Sequence, residues 1–259
     1  MMEPIGPVLV AGCPRSGTSA LSWALAACPR YWTSVETHFL YYLSRDSWLE
    51  NAYTNSAGAG SWINVHAVSA EEFFACVGEG IDRLFHARAD GRQWVDGSPE
   101  NLLVGGVLLR MFHQAHLFHV VRDPRSVCLS MLTSGFGEPW ASDIDEAIRT
   151  WNHYIAAGLQ LETDYPDRVS RIRQEDMLVA PVAVAHRIGT CLGIEDVAPI
   201  ASFLADSRIN MSAHKQSYVD SSPFRHASAA QCDRIEFEAT YGERIRAETA
   251  TLAARCGYA

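Results

Sequence analysis

The sequence predicts an α/β fold: a mainly parallel β-sheet with helices on both faces. Two short runs of apolar and β-branched residues, 7–12 (PVLVAG) and 116–123 (HLFHVVRD), are typical of buried parallel strands. Each run ends in glycine or charged residues and is followed by a segment with helical spacing of apolar residues. Because strands that alternate with helices form parallel sheets, we expect 1–259 to fold as one α/β domain.

The remaining elements continue this alternation. Residues 31–40 and 168–177 predict two further strands. Helical spacing is predicted in 99–115, in a stripe from Ile144 to Leu159, in 181–192 and in 228–257. The segment 44–92 is weakly periodic and rich in Ser, Asn, Gly and Trp, so it is either a lid beside a binding site or surface padding.

The composition excludes several classes of partner. A formal net charge of -9 and a pI near 5.5 argue against nucleic acid and other polyanions, which require a broad cationic surface. The seven cysteines include no C-x-x-C pair, which favours a reducing compartment, and we expect a cytoplasmic protein. Neither a signal peptide nor a membrane span is predicted.

The segment Gly12–Ser19 (GCPRSGTS) has the spacing of a Walker A loop between a strand and a helix. Successive backbone N–H groups in such a P-loop surround an anion. Thr18 stands where ATP-binding loops have lysine, and the only lysine of the chain is Lys215. The lysine and magnesium arrangement of ATP enzymes therefore cannot be built here, whereas Arg15 can bind an anion without a metal.

Two motifs resemble one enzyme family. GCPRSGTS resembles the 5'-phosphosulfate loop of PAPS-dependent sulfotransferases, especially the branch of tyrosylprotein and carbohydrate enzymes and bacterial relatives. HVVRDPRSVCLSM, at 119–131, resembles the family's 3'-phosphate motif, with Arg122 at the strand end and Ser130 eight residues later. The resemblance covers most of the chain except 44–92, and implies a P-loop type sheet. It also implies that PAPS is the donor, PAP the product and no metal is required.

The resemblance assigns nucleotide-binding roles by position. The loop residues expected to hold the phosphosulfate are Arg15, Ser16, Gly17, Thr18 and Ser19. Arg225, in SSPFRH, lies where the family often has a late loop with basic residues that close over the 3'-phosphate. Arg225, Lys215 and His214 are also readily explained as exposed loop residues.

Two candidates compete for the general base. Glu36 follows the first helix, at the end of a strand-like segment expected to return beside the loop. In the tyrosylprotein branch a glutamate at this distance from the loop arginine is the base. Burial would raise its proton affinity and suit it to accept a proton. His38 would share the face of Glu36 if the segment stays extended, and it titrates near neutrality without help.

The sequence departs from the family at one position. Many relatives have a lysine where this chain has Gly97, in the segment DGSPEN at 96–101. Three explanations are open: Arg15 alone balances the sulfonate, or Lys215 or Arg225 reaches the site, or the protein is slow or does something else. Asp96 is a candidate auxiliary base.

Alternative functions also stay open at this point. The first is a P-loop small-molecule kinase, and the second is a non-catalytic module that binds PAP or another nucleotide. The ten histidines show no metal-ligand spacing. For an enzyme, a hydroxylated small molecule is the expected acceptor, and the sequence carries no prediction of oligomeric state.

Overall fold

The computed structural model describes residues 6–133, 138–206 and 231–258. Its centre is a five-stranded sheet in the order β2-β3-β1-β4-β5, in which every neighbouring pair is parallel. The strands are β1 (Val8–Gly12), β2 (Tyr31–Thr33), β3 (Gln93–Asp96), β4 (His116–Val121) and β5 (Val169–Arg173). The mainly parallel α/β sheet that the sequence predicts is confirmed.

Helices connect the strands. The first group is α1 (Thr18–Ala26), α2 (Phe39–Ser44), α3 (Trp48–Ser56), α4 (Trp62–Val65), α5 (Ala70–His86) and α6 (Gly105–Met111). The second group is α7 (Pro124–Thr133), α8 (Ile144–Asp164), α9 (Gln174–Val179), α10 (Pro181–Leu192), α11 (Ala198–Asp206) and α12 (Gln231–Arg255). Within the described ranges no helix combines the length and the apolar character that crossing a bilayer requires.

The two faces of the sheet carry separate cores. Side chains alternate along a strand, so Val8 and Val10 of β1 pack on one face against residues of α1, α10 and α11. Leu9 and Ala11 lie on the other face, in the cluster that includes buried residues of α5, α6, α7, α8 and α12. All five residues of β1 are buried. Helices therefore cover both faces of the sheet, as predicted.

Two predicted strands are shorter than expected. The strand predicted in 31–40 ends at Thr33, and α2 begins at Phe39. Hydrogen bonds from the backbone N–H groups of Thr37 and His38 to the Ser98 hydroxyl draw the intervening chain towards the end of β3. The strand predicted in 168–177 ends at Arg173, and the rest of it forms α9.

The segment 44–92 contains more regular structure than its weak periodicity indicates. It forms α3, α4 and α5, and α5 packs so closely on α6 that Gly78 lies against the backbone of Met111. Phe85 of α5 stacks on Trp94 of β3 with ring centroids 4.1 Å apart. At least α5 is therefore part of the core, whereas Trp48 and Trp62 are largely exposed.

The packing of α5 on α6 can be tested with two glycines of one helix. A Cβ at position 78 would lie 2.0 Å from the carbonyl oxygen of Met111, whereas a Cβ at position 80 would meet nothing within 4 Å. Gly78→Ala is expected to lower the free energy of unfolding by about 1–3 kcal/mol through overpacking. The matched variant Gly80→Ala is expected to raise it by about 0.5–1 kcal/mol. Urea denaturation measures both, and equal effects would contradict this packing.

Candidate active site

The candidate site lies at the carboxyl ends of the parallel strands. β1 is central, with β3 on one side and β4 on the other, and the loop after β1 enters α1. The chain after β2, β3 and β4 reaches the same edge, because parallel strands all end there. Ligands of open α/β sheets bind at the carboxyl ends of the strands. The binding position is where the connection from one strand runs to one side of the central strand and the next connection runs to the other side.

The loop after β1 has the geometry that binds anions through backbone N–H groups. Gly12 approaches β4 so closely that a Cβ would lie 2.3 Å from the carbonyl oxygen of Val120. Gly17 has φ 98°, which glycine adopts without strain, and Arg15 has φ 74°. Arg15 therefore holds a backbone conformation that non-glycine residues seldom adopt, as strained residues at functional sites often do.

The structure brings together the two motifs, which are more than 100 positions apart in the sequence. The Arg15 Nε atom donates a hydrogen bond to the Ser130 hydroxyl over 3.0 Å. The Arg122 Nη1 atom donates to the backbone carbonyl oxygen of Arg15 over 2.9 Å. Arg122 and Ser130, one at the end of β4 and one in α7, therefore both face the loop after β1.

Positive charge is concentrated between these elements. Burial, together with the nearby Arg122 guanidinium, lowers the pKa of Arg15 to about 10, against the opposing effect of Glu36. Burial also lowers the pKa of Arg122. Both groups remain cationic at neutral pH. Two partly buried guanidinium groups on neighbouring elements repel each other, so the binding of an anion between or beside them is favoured.

The loop also presents an unsatisfied hydroxyl group. The Ser16 side chain is fully buried, and its Oγ atom has no hydrogen-bond partner within the described ranges. Thr18 is 4% exposed at the first position of α1, and Ser19 is half-buried beside it. A buried hydroxyl without a partner is costly, so Ser16 fits a ligand that can accept its hydrogen bond.

The end of β4 is fixed by a network around Asp123. The Asp123 carboxylate accepts hydrogen bonds from the backbone N–H groups of Arg125 and Ser126, which begin α7. Glu175 of α9 accepts one hydrogen bond from the Asp123 backbone N–H and another from the Tyr258 hydroxyl. The Arg122 side chain is thereby presented to the loop from a rigid turn.

Asp96, at the end of β3, organises the other half of the site. It is 2% exposed, and its carboxylate accepts hydrogen bonds from Thr37 Oγ1 at 2.9 Å and Asn101 Nδ2 at 2.6 Å. The Ser98 backbone N–H and hydroxyl also donate to it, at 3.3 and 2.9 Å. Burial raises the pKa of Asp96, and these hydrogen bonds oppose that effect. Its two oxygens therefore accept four hydrogen bonds, which link Thr37 in the segment after β2 to the residues that follow β3.

Glu36 and His38 lie together after β2, although the chain is not extended there. The Glu36 side chain is 36% exposed, and burial raises its pKa to about 7, with His38 and Arg15 opposing and Glu100 and Asp96 adding to the effect. His38 Nε2 lies 3.6 Å from Glu36 Oε2, and His38 Nδ1 contacts Glu100 Oε1. The hydrogen bond with Glu100 is the main cause of a raised His38 pKa.

Comparison with known proteins identifies the family. The model of the sulfotransferase family matches residues 7–199, which is most of the chain. The chain belongs to the sulfotransferase family. The resemblance predicted from the two motifs is therefore confirmed. No curated protein sequence matches this sulfotransferase significantly.

Solved structures support the fold of this sulfotransferase. The sulfotransferase domain of the Synechococcus PCC 7002 olefin synthase has a TM-score of 0.57 at 19% identity, over 93% of this chain and 96% of that one. Sulfotransferase STF9 from Mycobacterium avium gives 0.56 at 14% identity, over 97% and 77%. A sulfotransferase from Alicyclobacillus acidocaldarius gives 0.52 at 18% identity, over 98% and 96%. At these identities the likeness concerns the fold alone.

The structure explains why this sulfotransferase has Gly97 where many relatives have lysine. A Cβ at position 97 would lie 2.4 Å from the Ser22 hydroxyl oxygen. Ser22 is buried, and its hydroxyl donates to the backbone carbonyl of Thr18 in α1. With Ser22 in this position, a larger residue at position 97 would require the Ser22 side chain to move. Lys215 and Arg225, the other candidate cations, lie outside the described residues.

Sequence reasoning missed the residues that hold the base loop, which we define as residues 34–38, the segment between β2 and α2 that carries the candidate base. Glu100 contacts His38, and Ser98 and Asn101 are hydrogen-bonded with Asp96. All three follow β3, and polar residues at the carboxyl end of a central strand were the available signal. In the described part of the chain, no group of three or more His, Cys, Asp or Glu side chains is arranged to hold a metal ion.

The role of Asp96 can be tested by changing one atom. Asp96→Asn replaces one carboxylate oxygen by an NH₂ group, so at least one of the buried donors on Thr37, Ser98 and Asn101 loses its acceptor. The variant is expected to lose about 1–3 kcal/mol of stability. The exposed Asp90→Asn is the matched control and should be neutral. Thermal and urea denaturation measure both, and a stable Asp96→Asn variant would show that Asp96 does not hold the loop.

Proposed function

We propose that this sulfotransferase transfers a sulfuryl group from PAPS to a hydroxylated small molecule. The observation that carries the proposal is the hydrogen bond between Arg15 and Ser130, with Arg122 on the Arg15 carbonyl. These contacts join a P-loop to an arginine and a serine on the neighbouring strand and helix, so one ligand with two separate anionic groups can reach both. PAPS supplies the sulfuryl group and has both a 3'-phosphate and a 5'-phosphosulfate.

Kinase chemistry is disfavoured by the loop itself. Thr18 occupies the lysine position, and no lysine precedes Lys215 in the sequence. A Walker lysine and a magnesium ion bind the β and γ phosphates in ATP enzymes. Arg15 provides a planar, permanently charged group instead, which suits a sulfonate or phosphate without a metal.

The loop residues would neutralise the charge that develops on the leaving phosphate oxygen. The Arg15 guanidinium group is held in place by its hydrogen bond to Ser130, and it is cationic at neutral pH. Ser16 offers a buried hydroxyl, and the backbone N–H groups of Gly17, Thr18 and Ser19 lie at the start of α1. Donors fixed before the reaction stabilise the transition state more than water does.

Glu36 is the proposed general base. The electrostatic effects of Glu36 and Arg15 on each other's pKa support a position of the Glu36 carboxylate near the loop. Burial raises its pKa to about 7, near the value at which a base is most effective in neutral solution. Glu36 follows β2 and would approach the transferred group from the side of β2 and β3.

The surface next to Glu36 supports an acceptor with an apolar part. Val35 lies in the base loop and Phe39 directly follows it, and they are 39% and 38% exposed. Tyr42, on α2, is 64% exposed. Exposed apolar side chains beside a polar reactive group offer a surface on which the apolar part of an acceptor can pack.

Nucleotide binding is tested by thermal denaturation. PAP without magnesium is expected to raise the melting temperature by several degrees at about 100 times its Kd, whereas Mg-ATP should do little. Ser130→Ala should reduce the shift with PAP, and the exposed Ser202→Ala should retain it. Stabilisation by Mg-ATP but not by PAP would support a kinase and contradict the proposal.

The role of Glu36 is tested by the pH dependence of PAPS turnover. Because the base must be ionised and its pKa is raised to about 7, kcat/KM should fall as the pH drops below about 7 and level off above it. Glu36→Gln should lose about 100-fold or more in kcat and this acidic limb. The exposed Glu195→Gln should behave as wild type. An unchanged pH profile in Glu36→Gln would exclude Glu36 as the base.

The same measurements test whether the protein is an enzyme. If wild type binds PAP but turns over no PAPS, a non-catalytic binding module would be favoured.

A further inference from the structure

Three ionisable side chains form a short row beside the loop after β1. His38 lies in the middle, with Nδ1 against Glu100 Oε1 and Nε2 3.6 Å from Glu36 Oε2. The side chain of Glu100 is 17% exposed, that of Glu36 is 36% exposed and that of His38 is 51% exposed. The middle member of the row, the His38 imidazole, therefore contacts solvent as well as both carboxylates.

The imidazole is held from both its side chain and its backbone. Glu100 follows Pro99 in the 3₁₀ turn Pro99–Val104, directly after β3, so its carboxylate is fixed by the sheet. His38 has φ 53°, a backbone conformation that non-glycine residues seldom adopt. The Ser98 hydroxyl accepts hydrogen bonds from the backbone N–H groups of both Thr37 and His38 and thereby maintains this conformation.

The orientation has a chemical consequence. A carboxylate can only accept hydrogen bonds, so the Glu100 contact places a proton on His38 Nδ1. In the neutral imidazole the lone pair is then on Nε2, the atom that faces Glu36. Arg15 and Asp96 are the other charged groups that affect the Glu36 carboxylate, and of these Asp96 is already saturated with hydrogen bonds.

We propose that Glu100 is a positioning residue which orients His38, so that His38 Nε2 takes the acceptor's proton from Glu36 and releases it to solvent. This inference deepens the proposed function and rests on it for the reaction, although the contact itself can be measured without any reaction. It gives Glu36 and His38 consecutive roles in place of alternative ones.

The proton and the bonds balance in this scheme. As the acceptor oxygen forms its bond to sulfur, the bond between sulfur and the 5'-phosphate oxygen breaks, and the hydroxyl proton passes to Glu36. Glu36 then passes the proton to His38 Nε2, which forms an imidazolium between two carboxylates. Loss of a proton from the exposed imidazole to water restores Glu36 and His38 for the next turnover. The 3.6 Å separation requires a small approach of the two groups or one bridging water molecule.

The first test is an NMR titration of the free protein. Long-range ¹H–¹⁵N spectra report the tautomer and the pKa of each imidazole, and His38→Gln identifies the His38 signals by their loss. The proposal predicts the Nδ1-protonated tautomer for neutral His38. Because the Glu100 hydrogen bond raises the His38 pKa, Glu100→Ala should lower that pKa and populate the other tautomer. The exposed Glu72→Gln is the control. Unchanged His38 signals in Glu100→Ala would overturn the proposal.

The second test is a double-mutant cycle on PAPS turnover, measured as PAP release with 2-naphthol as the acceptor, because its hydroxyl group keeps its proton at neutral pH. In an otherwise wild-type background, Glu100→Ala should lower kcat about tenfold and leave the affinity for PAP unchanged. It should have no further effect in a His38→Gln background if it acts through His38. Equal losses in both backgrounds would overturn the proposal. Glu100→Gln, which keeps an acceptor but not the charge, should retain more activity than Glu100→Ala.

The NMR titration and the turnover measurements together distinguish a failure of this inference from a failure of the proposed function. If wild type neither binds PAP nor releases it from PAPS, the proposed function fails, while the NMR titration still decides whether Glu100 orients His38. If wild type is active and the NMR spectra of Glu100→Ala are those of wild type, the proposed function stands and the positioning role of Glu100 is wrong. Melting temperatures of all variants show whether a loss comes from unfolding.

Discussion

The contact between the Arg15 guanidinium and the Ser130 hydroxyl connects the two halves of the proposed nucleotide site. It depends on the neighbouring positions of β1 and β4, which lie so close that only glycine fits at position 12 against the carbonyl of Val120. The Arg122 side chain adds a second link, to the backbone of Arg15. The order of the strands thus brings residues more than 100 positions apart into one anion site.

The charges of the site are divided between its two sides. Arg15 and Arg122 lie on the side of β1 and β4, and burial lowers the pKa of both. Glu36, Asp96 and Glu100 lie on the side of β2 and β3, where burial raises the pKa of Glu36 and of Asp96. PAPS, the anionic sulfuryl donor, would lie beside the arginines. The sulfuryl acceptor, whose hydroxyl group loses a proton, would lie beside the carboxylates. Each reactant would then meet the charge that stabilises it.

The sequence predicted the parts of this arrangement that are local in the chain. The glycine spacing of 12–19 predicted the loop, and the apolar runs predicted β1 and β4. The strand predicted in 31–40 was too long, because Ser98 and Asp96 draw Thr37 and His38 out of an extended path. Contacts of this kind join residues about 60 positions apart, and no periodicity within either segment reveals them. Similarly, the glycine at position 97 is explained only by Ser22 in the packed helix α1.

One nucleotide is expected to contact both Arg15 and the pair Arg122 and Ser130. Isothermal titration calorimetry tests this by comparing the affinities for PAP and for adenosine 5'-monophosphate, which lacks the 3'-phosphate. Because a charge-assisted hydrogen bond contributes about 1.5–3 kcal/mol, wild type should bind PAP at least about tenfold more tightly, and Arg122→Ala should lose most of that preference. Equal affinities of wild type for the two nucleotides would contradict the account.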